Sequence, residues 1–115
     1  MSENCIFCQI VAGKAPGDIV YQDDLVSAFP DLHPAAPVHL LIVPKRHITS
    51  LNRINEEDER LLGHLIIVAR RLAEKHNISQ NGYRFIINTG AEAGQTIFHL
   101  HAHLIGGQVL PGLKR

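Results

Sequence analysis

The chain has 115 residues, 45% of them apolar, which suits one compact domain whose core is large enough to fold yet marginal enough to gain from dimerisation. Eleven basic and eleven acidic residues cancel, so no basic excess marks a nucleic-acid polymer as the main partner. No apolar run approaches the ~20 residues that span a bilayer, and Met1-Ser2-Glu3-Asn4 lacks the basic start and apolar stretch of a secretory signal; a soluble, cytoplasmic protein without a membrane partner is expected.

In chain order, residues 5–12 read as a short helix packing Ile6, Phe7, Ile10 and Val11, broken by Pro16-Gly17. Residues 19–22 and 25–29 read as a hairpin around Asp23-Asp24, closed by Pro30. Residues 38–44 form a nearly continuous apolar run, the mark of a central strand. Asn55 is placed as an N-cap, with Glu56, Glu57, Asp58 and Glu59 in the first turn of a long helix. Leu61, Leu62, Leu65, Ile66, Val68, Ala69, Leu72 and Ala73 make its apolar face. Arg70, Arg71 and Lys75 gather at its far end, where the helix dipole favours them. Asn81-Gly82 turns the chain into a strand over residues 83–89, and residues 90–94 loop into the last strand. One long and one short helix with about five strands, lacking regular βαβ alternation, predict an α+β fold with an antiparallel sheet over residues 1–115 as a single domain.

The last strand carries His99-Leu100-His101-Ala102-His103, followed by Leu104-Ile105. Three imidazoles alternate with apolar residues at the period of a half-buried strand, which puts His99, His101 and His103 on one face and Phe98, Leu100, Ala102 and Leu104 toward the core. A row of three histidines gives a plain sheet nothing. Neutral imidazole is a nucleophile, a proton carrier and a metal ligand, so a phosphate or metal site is indicated.

That run resembles the signature of the histidine triad (HIT) family, His-φ-His-φ-His-φ-φ with φ apolar. Gly94-Gln95-Thr96-Ile97-Phe98 before it and Gly106-Gly107 after it are similar to the family's nucleotide-binding (Hint) branch. So are Phe29-Pro30-Asp31-Leu32, Ala36-Pro37-Val38-His39 and Val43-Pro44-Lys45-Arg46-His47, in the same order. The resemblance covers residues 5–107 and implies a HIT-like fold, a homodimer with sheets joined across it, and a purine nucleotide as substrate.

It also implies roles. The middle histidine, His101, becomes the nucleophile toward phosphorus, giving a covalent nucleotidyl-histidine that water cleaves. His103 lies about 6.6 Å further along an extended chain and takes the place that contacts a phosphate oxygen. Gln95 and Thr96 offer donors to phosphate or leaving-group oxygens. His39, alone on an apolar strand, reads as a core histidine; the branch makes it a support for the triad's protonation. Asn88 matches a phosphate-site or ribose-site asparagine, although a strand-end Asn is commonly structural. Asp31 matches the carboxylate that accepts from the ribose hydroxyls, a task suited to an acceptor-only group. Ile6, Phe7, Ile10, Phe29 and Leu32, each a core residue by type, match the slot for the base. His33 stands where the branch commonly has serine, which adds a titrating group at the pocket edge.

Cys5-x-x-Cys8 reads in itself as two reduced thiols at a helix start, as a redox pair, or as half of a metal site. Members of the family, and the related galactose-phosphate uridylyltransferases, complete such a pair with histidines matching His47 and His99, which implies a structural zinc ion and no organic cofactor. Leu113-Lys114-Arg115 follows Gly107 closely, and longer members shape the leaving-group side with their tails, so leaving-group preference does not carry over. His64 and His76, on the long helix, read as surface or packing residues. The reaction implied is hydrolysis of purine nucleoside phosphoramidates. Three readings stand beside it: a dinucleoside polyphosphate hydrolase, a nucleotidyl transferase, and a nucleotide-binding regulatory module with incidental catalysis. A His-rich metal store is disfavoured because the histidines alternate with core residues.

Overall fold

A computed structural model describes residues 4–112; residues 1–3 and Leu113, Lys114 and Arg115 lie outside the described residues. The elements are α1 (Ile6–Val11), β1 (Tyr21–Gln22), β2 (Val26–Pro30), β3 (Val38–Pro44), α2 (Glu59–Lys75), β4 (Tyr83–Ile86) and β5 (Ala102–Gly106), with 3₁₀ turns at Leu51–Arg53, Glu56–Asp58 and Ala91–Ala93. The strands form one five-stranded sheet in the order β1-β2-β3-β5-β4, and every neighbouring pair is antiparallel. The architecture is α+β, as the sequence pattern requires. No helix among the described residues is long and apolar enough to cross a membrane.

The central strand β3 explains the layering. Its pleat sends Leu40 and Ile42 to one face, where Ala28, Ala102 and Leu104 join them under Leu61, Leu65, Val68 and Leu72 of α2. Leu41 and Val43 point to the other face, where they pack with Phe29 against Cys5, Phe7, Cys8 and Ile10. His39 belongs to this second face by parity, and so does His103, which lies opposite Leu41. The large core is therefore a helix-on-sheet layer, and His39 and His103 sit over the smaller one.

The start of α2 differs from the expectation: Asn55 caps a 3₁₀ turn, and the α-helix itself begins at Glu59 behind Asp58. The Asn55 side chain accepts from Glu57 N at 2.9 Å, and Asp58 returns a carboxylate to Asn55 N at 3.0 Å. The acidic run first forms the 3₁₀ turn and then enters α2 at Glu59. Arg46 pairs with the buried Asp58, and that hydrogen bond holds the carboxyl below the usual range. The buried stripe is narrower than the sequence suggests: Leu62 is half-buried and Ile66 is 56% exposed. Leu62 packs at the edge of the core, and Ile66, four residues on, faces outward. The hairpin is anchored to α2 through Asp23, whose carboxylate accepts from Tyr21 Oη at 2.6 Å and from His64 Nε2 at 2.5 Å. His76 stands at the C-terminal cap of α2, where Nδ1–H donates to Leu72 O at 3.0 Å. Both histidines therefore have packing roles.

Candidate active site and metal centre

The triad segment departs from the expected strand. β5 begins only at Ala102, so His99 and His101 precede it, and residues 97–99 bend. Leu100 is buried and its N–H donates to Ile48 O at 2.6 Å, but Phe98, expected in the core, is half exposed. The three histidines do not share a face. His101 and His103 line a cavity, whereas His99 turns toward the cysteines.

Fixed backbone donors and acceptors assign a tautomer to each ring. His101 Nδ1 lies 2.7 Å from the carbonyl of His99. A carbonyl only accepts, so Nδ1 carries the proton and Nε2 keeps its lone pair. Ala35 N–H donates to His39 Nδ1 at 2.9 Å, so His39 must be protonated on Nε2. That Nε2–H lies 2.9 Å from His103 Nδ1. His103 therefore accepts there and carries its own proton on Nε2. The cavity is thus lined by one imidazole with a free lone pair and another with a free N–H. Burial, then the neighbouring His101 and His39, lower His103 to about 4, with Asp31 opposing, which leaves that ring neutral at neutral pH.

The cavity holds about 450 Å³ and lies over the smaller core, within the size range of small-molecule sites. Ile6, Phe7, Ile10, Phe29 and Leu32 supply apolar walls, and Asp31, Asn88, Thr96, His101 and His103 supply polar groups. Leu32, 83% exposed, lies at the mouth. Phe7 touches the ring of His101 edge-on, with centroids 5.1 Å apart, so one aromatic side chain both walls the slot and packs on the imidazole. The wall needs Gly17, because a Cβ there would stand 2.5 Å from Ile10 Cγ2.

Behind Phe7, Cys5, Cys8, His47 and His99 converge. His99 Nδ1 lies 3.3 Å from Cys5 Sγ, 3.5 Å from Cys8 Sγ and 3.2 Å from His47 Nδ1, and Cys8 Sγ lies 3.3 Å from His47 Nδ1. A tetrahedral zinc ion with ordinary Zn–S and Zn–N bonds needs ligand separations of about 3.3–3.8 Å. His99 Nε2–H donates to Pro44 O at 2.8 Å, which keeps the ring proton on Nε2 and leaves Nδ1 free to ligate. Burial lowers His99 to about 4, which keeps it neutral as a ligand must be. Neither cysteine is in a disulfide. The donor set fits a metal.

Asp31, His39 and His103 also bring ligand-type atoms within reach of one another. This cluster does not fit a metal. Ligation through His39 Nε2 would move the ring proton to Nδ1, against the N–H of Ala35.

Residues 4–114 match the family described as scavenger mRNA decapping enzyme C-term binding. The purine nucleoside phosphoramidase of Escherichia coli (strain K12) is 47% identical over 110 residues, 96% of this chain and 92% of that protein. The solved histidine triad protein from Clostridium difficile superposes with a TM-score of 0.96 at 40% identity, covering 99% of each chain. The chain belongs to the histidine triad family. A zinc-bound histidine triad family protein from Mycobacterium smegmatis superposes with a TM-score of 0.81 at 30% identity, covering 91% of this chain and 76% of that one.

Within this histidine triad protein, the site residues expected from sequence are brought together, with two displacements. Gln95 does not line the cavity. Its buried side chain accepts from Gly90 N at 2.9 Å and donates to Thr49 O at 2.8 Å and Ile97 O at 3.1 Å, so its polar atoms brace the loop and are not free for phosphate. His39 is buried behind His103 and acts through it. His33 lines the cavity edge as expected. Sequence reasoning missed Pro16, Gly17, Asp18, Pro30, Leu41, Gly94 and Ile97 as lining residues. The parity of Leu41 with His39 was the available signal for one of them; a turn such as Pro16-Gly17 carries none.

Proposed function

We propose that this protein is a purine nucleoside phosphoramidase of the nucleotide-binding branch of its family, hydrolysing a nucleoside monophosphate linked to an amine. One observation carries the reading: the His99 carbonyl fixes the His101 proton on Nδ1 and leaves Nε2 nucleophilic on a ring that lines a nucleotide-sized cavity. The name of the Escherichia coli relative supports the substrate class. In this reading His101 Nε2 attacks phosphorus as the P–N bond breaks, the amine departs, and water returns His101 to its free state. The Nε2–H of His103 and the Thr96 side chain meet phosphoryl oxygens, where charge develops. Asp31 accepts from the ribose hydroxyls, Asn88 borders the ribose or phosphate, and Ile6, Phe7, Ile10, Phe29 and Leu32 hold the purine. Gln95 contributes by fixing the loop that presents Thr96.

Cys5, Cys8, His47 and His99 would hold a structural zinc ion, which crosslinks α1 to the triad segment and takes no part in the chemistry. The whole chain acts as one domain, and two copies pair. The outer edge of β4, with Tyr83 39% exposed, and the exposed Ile66 and Ile67 of α2 support that pairing. A cytoplasmic location suits thiols that must stay reduced to bind metal.

The test is a short incubation with a labelled adenosine phosphoramidate, followed by a base-stable quench. Nucleotide should be found on histidine. His101→Ala should abolish adduct and turnover, a loss of about 10³-fold or more, and leave nucleotide binding largely intact. Near-normal turnover of His101→Ala would refute covalent catalysis and leave a binding module.

A further inference from the structure

The single N–H of His39 has two acceptors. His103 Nδ1 lies 2.9 Å from Nε2 and Asp31 Oδ2 lies 3.4 Å away. The other ring nitrogen is committed to Ala35 N–H. In the arrangement seen, His103 holds the bond and is a neutral imidazole with its proton on Nε2. A neutral imidazole is a poor acid, because giving up that proton would leave an imidazolate. An amine leaving group, however, must collect a proton as its bond to phosphorus breaks.

The only route to an acidic His103 is a second proton, and its only vacant nitrogen is Nδ1. A proton there would face His39 Nε2–H at 2.9 Å, donor against donor. His39 cannot yield by changing tautomer, because Ala35 N–H blocks Nδ1. It can yield by turning Nε2–H to the carboxylate of Asp31. Asp31 is held ready for this: Oδ1 accepts from His33 N at 2.9 Å, which leaves Oδ2 toward His39.

We infer that Asp31 is a positioning residue for proton delivery as well as the ribose acceptor: its Oδ2 takes over the His39 N–H, which lets His103 carry the proton it gives to the leaving amine. This rests on the phosphoramidase reading. The protons balance. His103 imidazolium transfers Nε2–H to the amine nitrogen as the P–N bond breaks and His101 Nε2–P forms, and it becomes neutral with its proton on Nδ1. In the second step the attacking water loses a proton to His103 Nε2 as the bond from phosphorus to His101 breaks, which restores the imidazolium. Among the described residues, the titratable groups that act on His103 are His101, His39 and Asp31, and of these Asp31 alone favours the charged ring.

The test uses Asp31→Asn, which keeps an oxygen for His33 N–H and removes the charge. Two substrates are compared, one with a basic alkylamine leaving group and one with a p-nitrophenolate that departs without a proton. The variant's kcat should fall about 10²-fold for the alkylamine and only a few-fold for the nitrophenyl ester. The same contrast should persist with 2′,3′-dideoxy substrates, which have no hydroxyls for Asp31. Equal losses for both leaving groups, or disappearance of the contrast in the dideoxy pair, would overturn the inference. A substrate-free arm separates it from the functional reading. In ¹⁵N spectra the protonation midpoint of His103 should be lower in Asp31→Asn than in the wild type, and an unchanged midpoint overturns the switch. Absence of wild-type turnover on both substrates would instead refute the phosphoramidase reading.

Discussion

The cluster of Cys5, Cys8, His47 and His99 and the cluster of Asp31, His39 and His103 are built from the same kinds of side chain, each with histidine nitrogens about 3 Å apart. One backbone atom gives each its use. The carbonyl of Pro44 accepts from His99 Nε2–H, which holds the proton there and leaves the Nδ1 lone pair facing the thiols. The N–H of Ala35 occupies the lone pair of His39 and leaves a proton facing His103. In the proposed reading, a main-chain acceptor makes a ligand and a main-chain donor makes a proton carrier. Composition alone does not separate a metal centre from a relay; the polarity of the peptide group behind the ring does.

The largest expected effect breaks the comparison at the metal side. Purified protein should carry about one zinc per chain, and Cys5→Ser should lose it together with much of the thermal stability, since a structural zinc contributes folding free energy directly. Metal analysis and a melting curve check this. Zinc offered in excess should still bind at one equivalent, and a second tight site lost in His39→Ala would show that the relay is a metal centre after all.

A smaller effect sharpens the relay side. Asp31→Ala should weaken binding of a purine ribonucleotide by roughly 1.5–3 kcal/mol, the range for hydrogen bonds to a charged group. The 2′-deoxy nucleotide should lose less. Calorimetric titration of both ligands checks it, and equal losses would remove Asp31 from the ribose site.

The smallest effect is common to both clusters. His99 and His103 are each lowered by burial from 6.5 to about 4. Between those values the unfolded chain binds protons that the folded one refuses, so stability should be level above pH 6.5 and decline as pH falls toward 4. Denaturant midpoints across that interval check the sign. A midpoint that rises on acidification would mean that one of the rings is held charged.

Much of this was legible in the sequence. The apolar run of β3 located the central strand to the residue, and Asn55 with its acidic followers located the capped 3₁₀ turn that leads into the long helix at Glu59. The four metal-type residues and most of the cavity lining followed from the resemblance and do converge. What failed was periodicity read as strand. The alternation from Phe98 to Leu104 is continuous in sequence, yet the ladder starts at Ala102, because His99 is turned aside by Pro44 O and the thiols. The strand expected over residues 83–89 ends at Ile86, where its last partner, His103, stands at the start of β5. Gln95 failed for a related reason. A polar side chain in a loop before a phosphate site looks like a ligand contact, and only three dimensions show its partners to be Gly90, Thr49 and Ile97.

Phe7 belongs to both halves of the molecule. It rides on the helix that carries Cys8, with Cys5 at its cap, meets His99 with ring centroids 6.0 Å apart and His101 at 5.1 Å, and walls the slot. For anyone redesigning this scaffold, substrate range and reactivity are therefore not separate dials. Trimming Phe7 to admit a bulkier base would remove the surface packed on the His101 ring, the nucleophile of the proposed reaction. New specificities are better sought at Leu32, on the rim, where a side chain can change without disturbing the ring beneath it.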